Sequence, residues 1–267
     1  MRAWPLCWLV LLPFALARPA GAASALILPV PARFGDVPAE TYDLATGERL
    51  GEAFIRLSRQ DDGHVRLEGE SGIEGGARTR VLAELEPAGD SAGLRLVRQE
   101  SRSRDPAGNA LGVLEIDHRA GQGRCTPPGP AGEPPATRSI ALPADDRVVN
   151  VPLNLLFQPL VRGDERELRF QILLCGDGPR IVTAVARVAE TRAARADGAS
   201  LVRIQYELSL PKLLSKIVDQ WLPHLSFWFD PRDAGAWIGH EMPLYAKGPT
   251  VLVIRDGFSP ALLRAQP

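Results

Sequence analysis

The chain of 267 residues carries 31 Lys plus Arg against 32 Asp plus Glu, a net charge of -1, so no basic surplus marks a nucleic-acid surface or a face for anionic membranes. This length admits one large β domain or two small ones, with a sizeable core in either case. Lysine stands only at Lys212, Lys216 and Lys247, and arginine supplies the rest of the positive charge.

Arg2 precedes an apolar run from Ala3 to Ala17, and Ala20-Gly21-Ala22 then offers an A-x-A cleavage signal. This predicts a secretory signal peptide over residues 1–22 and a single exported β-rich domain over 23–267, in the periplasm. A retained anchor is the rival reading, but the run is shorter than the ~20 residues a spanning helix needs. No stable membrane anchor is expected after cleavage. Cys7 falls inside the leader, which leaves Cys125 and Cys175 in a chain bound for an oxidising compartment. An even pair there predicts a disulfide, with two free buried thiols as the alternative. Without a C-x-x-C spacing, neither a zinc site nor a redox motif is expected.

The segment from Leu28 to Pro38 is spaced by prolines and reads as extended. Thr41 to Leu44 and Leu50 to Arg59 flank a turn at Ala45-Thr46-Gly47-Glu48, which predicts a hairpin. Asp62-Gly63 turns the chain into a strand with Val65, Leu67 and Gly69 on one face and Arg66, Glu68 and Glu70 on the other. Val81, Ala83 and Leu85 mark a further strand, Leu94 and Leu96 the next, and Leu114, Ile116 and His118 share a face of another. Strands at this spacing with turn signals between them predict an antiparallel meander.

Residues 120–136 contain Gly121, Gly123, Gly129, Gly132 and five prolines, which predicts a loop joining two halves of the sheet, without helix or inner strand. Beyond it, Leu153, Leu156, Phe157 and Leu160 recur at helical spacing between Pro152 and Gly163, so a short buried helix is expected. A strand follows with Leu168, Phe170, Ile172 and Leu174 on one face, ending at Cys175. Arg180 to Glu190 and Ser200 to Ser209 continue the β pattern. The period changes at Leu213 to Leu222, where a second helix with one apolar face is predicted. Strands then follow at Leu225–Phe229, Ala236–Leu244 and Thr250–Arg255; the last is apolar on both faces and reads as central. The fold expected is mainly β, an antiparallel meander forming a curved or barrel-like sheet with two short helices.

This order of parts resembles that of exported bacterial proteins of the domain-of-unknown-function 3108 type. The features that carry the resemblance are Tyr42 in a first strand followed by Gly47-x-x-x-Gly51, the acidic Asp145-Asp146 ahead of VPLNLLFQPLVRG, and the late strand bearing Trp228 before a final hairpin. The resemblance covers roughly Tyr42 to Gly257 and implies a curved, β-rich exported domain. It brings no catalytic residues with it.

Motifs for chemistry fail on inspection. Gly69-Glu70-Ser71-Gly72 has Ile73 where a nucleophile elbow needs glycine, and His240-Glu241-Met242-Pro243-Leu244 lacks the second histidine of H-E-x-x-H and has a proline in the place of helix. No catalytic residue, metal ligand or cofactor is assigned. The aromatic group Trp221, Phe227, Trp228, Phe229, Trp237 and Tyr245 lies within one short stretch and is read either as ordinary core or as the lining of an apolar pocket. His118 is read either as a buried histidine with a backbone or Tyr partner or as a ligand contact.

The leading expectation is therefore a non-catalytic periplasmic protein that binds a hydrophobic or lipid-like small molecule, or an envelope protein, through Trp228, Trp237, Tyr245 and His118. An interaction module with a filled core and an extracytoplasmic hydrolase are the alternatives. In the binding reading Trp237 sits partly exposed at a rim, so that Trp237→Ala weakens probe binding and hardly alters melting.

Overall fold

The computed structural model describes residues 26–89, 92–129, 136–193, 200–209, 225–233 and 236–263. The predicted leader and the predicted helix at Leu213–Leu222 lie outside the described residues. Among the described residues fourteen strands form one sheet. In chain order they are β1 (Gly35–Asp43), β2 (Arg49–Arg59), β3 (Val65–Gly72), β4 (Arg78–Pro87), β5 (Leu94–Arg104), β6 (Ala110–Asp117), β7 (Gln122–Thr126) and β8 (Arg138–Ala141). After the short helices α1 (Leu153–Leu156) and α2 (Gln158–Arg162) come β9 (Glu167–Cys175), β10 (Pro179–Ala193), β11 (Ser200–Leu208), β12 (Leu225–Asp230), β13 (Ala236–Pro243) and β14 (Thr250–Arg255). A 3-10 turn, Pro260–Leu262, follows.

The sheet is two antiparallel meanders fused back to back. The first runs β1 to β8, the second β9 to β14, and the first and last strands pair with each other, Ala39 opposite Arg255 through Asp43 opposite Val251. The pairing explains why β14 is apolar throughout. Val251 and Val253 face the main core, while Leu252 and Ile254 face a second cluster on the outer side, with Trp228, Ile238 and Leu263 of the final turn. A strand covered on both faces loses its alternation.

The expectation for residues 120–136 needs correction. β7 forms inside it, between β6 and β8, and is therefore an inner strand. Glycine is what permits this at Gly123, which is buried. A Cβ there would stand 3.0 Å from Leu173 Cδ2 and 3.3 Å from both Ile140 and Leu142, so the close approach of β9 uses the space a side chain would take. The prolines fall after Thr126, where the strand ends.

The end strands β8 and β9 do not hydrogen-bond to each other, yet the sheet curls until β6 and β7 lie against β9, and β8 against β10. Several contacts span this seam, among them a hydrogen bond from the Arg138 guanidinium of β8 to Asp177 O. Cys125 of β7 and Cys175 of β9 form the expected disulfide, with Cα atoms 5.5 Å apart. A strap over residues 145–151 fills the rest. Its Val148 makes a parallel bridge to Gln171 of β9, with Val149 N–H donating to Gln171 O at 2.8 Å and Gln171 N–H to Arg147 O at 2.9 Å. On the other side the Gln99 side-chain oxygen of β5 accepts from Asn150 N at 3.0 Å and Val151 N at 2.6 Å.

From the strap the chain enters the barrel as α1 and α2. Leu153, Leu155, Leu156, Phe157, Leu160 and Val161 are all buried, and Gly163 closes the second helix in the left-handed region at φ 77. Phe157 is the centre of this plug. Its ring meets Phe170 at 5.9 Å, Tyr206 at 6.0 Å and Phe227 at 5.2 Å, edge-on or tilted, in the geometry aromatic quadrupoles favour. The outer faces of β3 to β6 carry a lattice of arginines and glutamates such as Arg66 with Glu68 and Arg119 with Glu86; exposed pairs of this kind add little stability each.

Candidate functional site

Above the helical plug the barrel holds a cavity of about 490 Å³. For scale, a cavity of roughly 150 Å³ accepts a benzene molecule. Its apolar wall includes Leu67, Val81, Leu153, Ile172, Phe227 and Val253. The rim is made by chain turns at one end of the barrel, with Pro127 and Pro128 after β7, Gly176 after β9, and Ala246 and Lys247 between β13 and β14. These rim residues are exposed.

The four residues expected to bind do not all meet there. Trp237 and Tyr245 line the cavity. Trp237 is 7% exposed, so it is a wall residue of the interior and not a ring at the rim. Trp228 is a correction: it packs on the outside of the sheet with Leu201, Ile238 and Leu252, because alternation along β12 turns Phe227 and Phe229 inward and Trp228 outward. His118 takes the first of its two readings, a buried histidine with a backbone partner. It belongs to the seam, its Nε2 at 3.0 Å from Val148 O and its Nδ1 at 3.3 Å from the Asp146 carboxylate, and its side chain is 4% exposed. It anchors the strap and does not line the cavity.

His240 is the residue that sequence reasoning passed over. Its ring stacks on Phe227 with centroids 5.3 Å apart and lies 5.4 Å from that of Trp237, and it lines the cavity. Strict alternation along β13 would put Trp237 and His240 on opposite faces. A bulge prevents this: Trp228 pairs with Gly239 and Phe229 with Trp237, leaving Ile238 as the extra residue. Gly239 is needed beside it, since a Cβ there would come within 2.7 Å of Val253 O. The bulge returns His240 to the inner face. A glycine between two aromatic residues in a strand was the signal that could have revealed it.

Burial in apolar surroundings pushes the His240 imidazole down to about 4, so the ring is neutral at neutral pH. Burial likewise raises the Tyr206 hydroxyl above its ordinary value, and that residue also lines the cavity. Thr79 donates its hydroxyl to Leu244 O and lies 2.8 Å from the Ser103 hydroxyl, a small polar rung on the opposite wall. Among the described residues no group of three or more His, Cys, Asp or Glu is placed to hold a metal. Nor, among those residues, is any helix long and apolar enough to cross a membrane.

No family model and no curated protein matches the chain. Among solved structures it is similar to the crystal structure of a β-barrel-like protein of domain of unknown function DUF1849 from Brucella abortus, with 8% sequence identity, a TM-score of 0.44, and coverage of 87% of this chain and 97% of that one. The resemblance to the 3108 type holds for the β-rich, curved layout of the sheet and not for that family in particular.

Proposed function

We propose that this is a non-catalytic carrier or sensor of an apolar, lipid-like small molecule, acting outside the cytoplasm, with the ligand held in the barrel cavity. The observation that supports it most is a cavity of about 490 Å³ with largely apolar walls, within the ~300–1,000 Å³ of small-molecule sites. A scaffold module with a filled core would not need this space. The apolar leader and the disulfide support export to an oxidising compartment. The hydrolase alternative is the weaker reading. The His118 and Asp146 pair sits in the seam away from the cavity, and His240 faces rings where a base would need an orienting acid.

Titration of the mature protein with N-phenylnaphthylamine, an uncharged apolar dye, tests the reading. Saturable fluorescence enhancement is expected, and Met242→Trp, which places a large ring in the cavity wall, should reduce it. A wild-type protein that leaves the dye unaffected would remove the proposal.

A further inference from the structure

The charged groups of the cavity are few and unevenly placed. Glu70 and Lys247 are the charged residues of its lining, and both stand at the mouth end, Glu70 at the close of β3 and paired with Arg78 at 3.2 Å, Lys247 exposed in the turn before β14. On the β4–β5 wall the Thr79 and Ser103 hydroxyls satisfy each other and Leu244 O. Two groups of the inner wall differ from these, the buried Trp237 Nε1, which has no hydrogen-bond partner, and the neighbouring His240. His240 is set on the inner wall by the β13 bulge, stacked on Phe227 and tilted against Trp237, and among the described residues no hydrogen bond engages its ring nitrogens.

A polar group kept among apolar neighbours without a partner, as the buried Trp237 Nε1 is, is costly and native interiors seldom tolerate it; the partly exposed His240 ring beside it opens onto the same cavity. The cost falls if a ligand supplies the missing bond. We propose that the molecule bound in the cavity is a mostly apolar chain or ring system carrying one uncharged hydroxyl, ester or keto group that hydrogen-bonds His240, in preference to one carrying a free carboxylate. This rests on the cavity-binding reading above and adds the ligand's headgroup to it. The neutral imidazole, with its basicity lowered by burial, presents one N–H donor and one acceptor lone pair, which match an alcohol in both directions and a carbonyl in one. A carboxylate at the same depth would be desolvated with no cation in the surrounding wall, because Lys247 stands at the mouth.

Competition against bound N-phenylnaphthylamine near neutral pH, with decanol, methyl decanoate, decane and sodium decanoate, is the test. Decanol should displace the dye at least about tenfold better than decanoate, and better than decane by about threefold to tenfold, the size of one buried hydrogen bond. In His240→Phe, with each competitor referred to that variant's own dye affinity, the advantage of decanol over decane should vanish, whereas His240→Gln, which retains a donor and an acceptor, should preserve it. Equal competition by decanoate, or an alcohol advantage that survives in His240→Phe, overturns the inference while the cavity reading stands. A wild-type protein that binds no dye takes both down. If His240→Phe does not fold, the wild-type ranking of the four competitors still decides.

Discussion

The Asn150 carboxamide bonds both backbone groups of Leu173, its Nδ2 donating to Leu173 O at 2.9 Å and its Oδ1 accepting from Leu173 N at 2.9 Å. One side chain thus takes the place a neighbouring strand would hold beside β9, at the seam where the sheet does not close. Asn150→Ala would leave two backbone groups of the buried Leu173 without partners, at about 1–3 kcal/mol for each group. We expect a loss of about 2–4 kcal/mol in urea unfolding. Asn150→Asp should be nearly as damaging at neutral pH, where a carboxylate faces Leu173 O, and should recover in mild acid as it gains a proton to donate; an acid-insensitive variant would contradict this role.

The second prediction concerns the covalent part of the same seam. Cys125 and Cys175 close a loop with a sequence separation of 50, and in the chain-entropy model such a crosslink contributes roughly 4 kcal/mol. The double substitution Cys125→Ser with Cys175→Ser should lower stability by about 2–4 kcal/mol and loosen the cavity, since Cys175 lines it. Alkylation of the oxidised protein before and after reduction gives a direct check, with no thiol labelled before reduction. Labelling of both cysteines in the untreated protein would be the contrary result.

Stability should also depend on pH through His240. Its folded value is lowered to about 4 from 6.5, so between these limits the unfolded chain binds the extra proton and acid drives unfolding. The contribution is complete above pH 6.5, falls as the pH drops through that value, and is exhausted near about 4. Urea midpoints measured across this window should slope upward with pH in the wild type and be flatter in His240→Gln. Parallel slopes would show that other groups carry the acid sensitivity.

Trp237→Ala is now expected to be destabilising. A ring that is 7% exposed and packs beside His240 leaves a large void when truncated, at about 3–5 kcal/mol. The same scale applies to Phe157→Ala at the centre of the helical plug, which is fully buried. Thermal melting of both variants provides the comparison. A Trp237→Ala protein melting like the wild type would mean that the ring sits at an open rim after all.

Much of the architecture was legible along the chain because each cue was local. Val65, Leu67 and Gly69 alternate with Arg66, Glu68 and Glu70 because one face of β3 meets the core and the other meets solvent. Pro152 and Gly163 bracket the helical spacing of Leu153, Leu156, Phe157 and Leu160, and the doubly apolar Thr250–Arg255 announced a central strand. What the sequence by itself determined, then, is the antiparallel β order, the buried helix, and a cysteine pair able to bridge. Tertiary structure alone decided how these parts meet. The pairing of β1 with β14, the β7 strand that forms through Gly123 in a proline-rich stretch, and the strap between Gln99 and Leu173 all depend on residues far apart in sequence. The site was decided there too, because a single inserted residue at Ile238 reverses the face of everything after it and so sets His240 beside Trp237, while Trp228 stays outside.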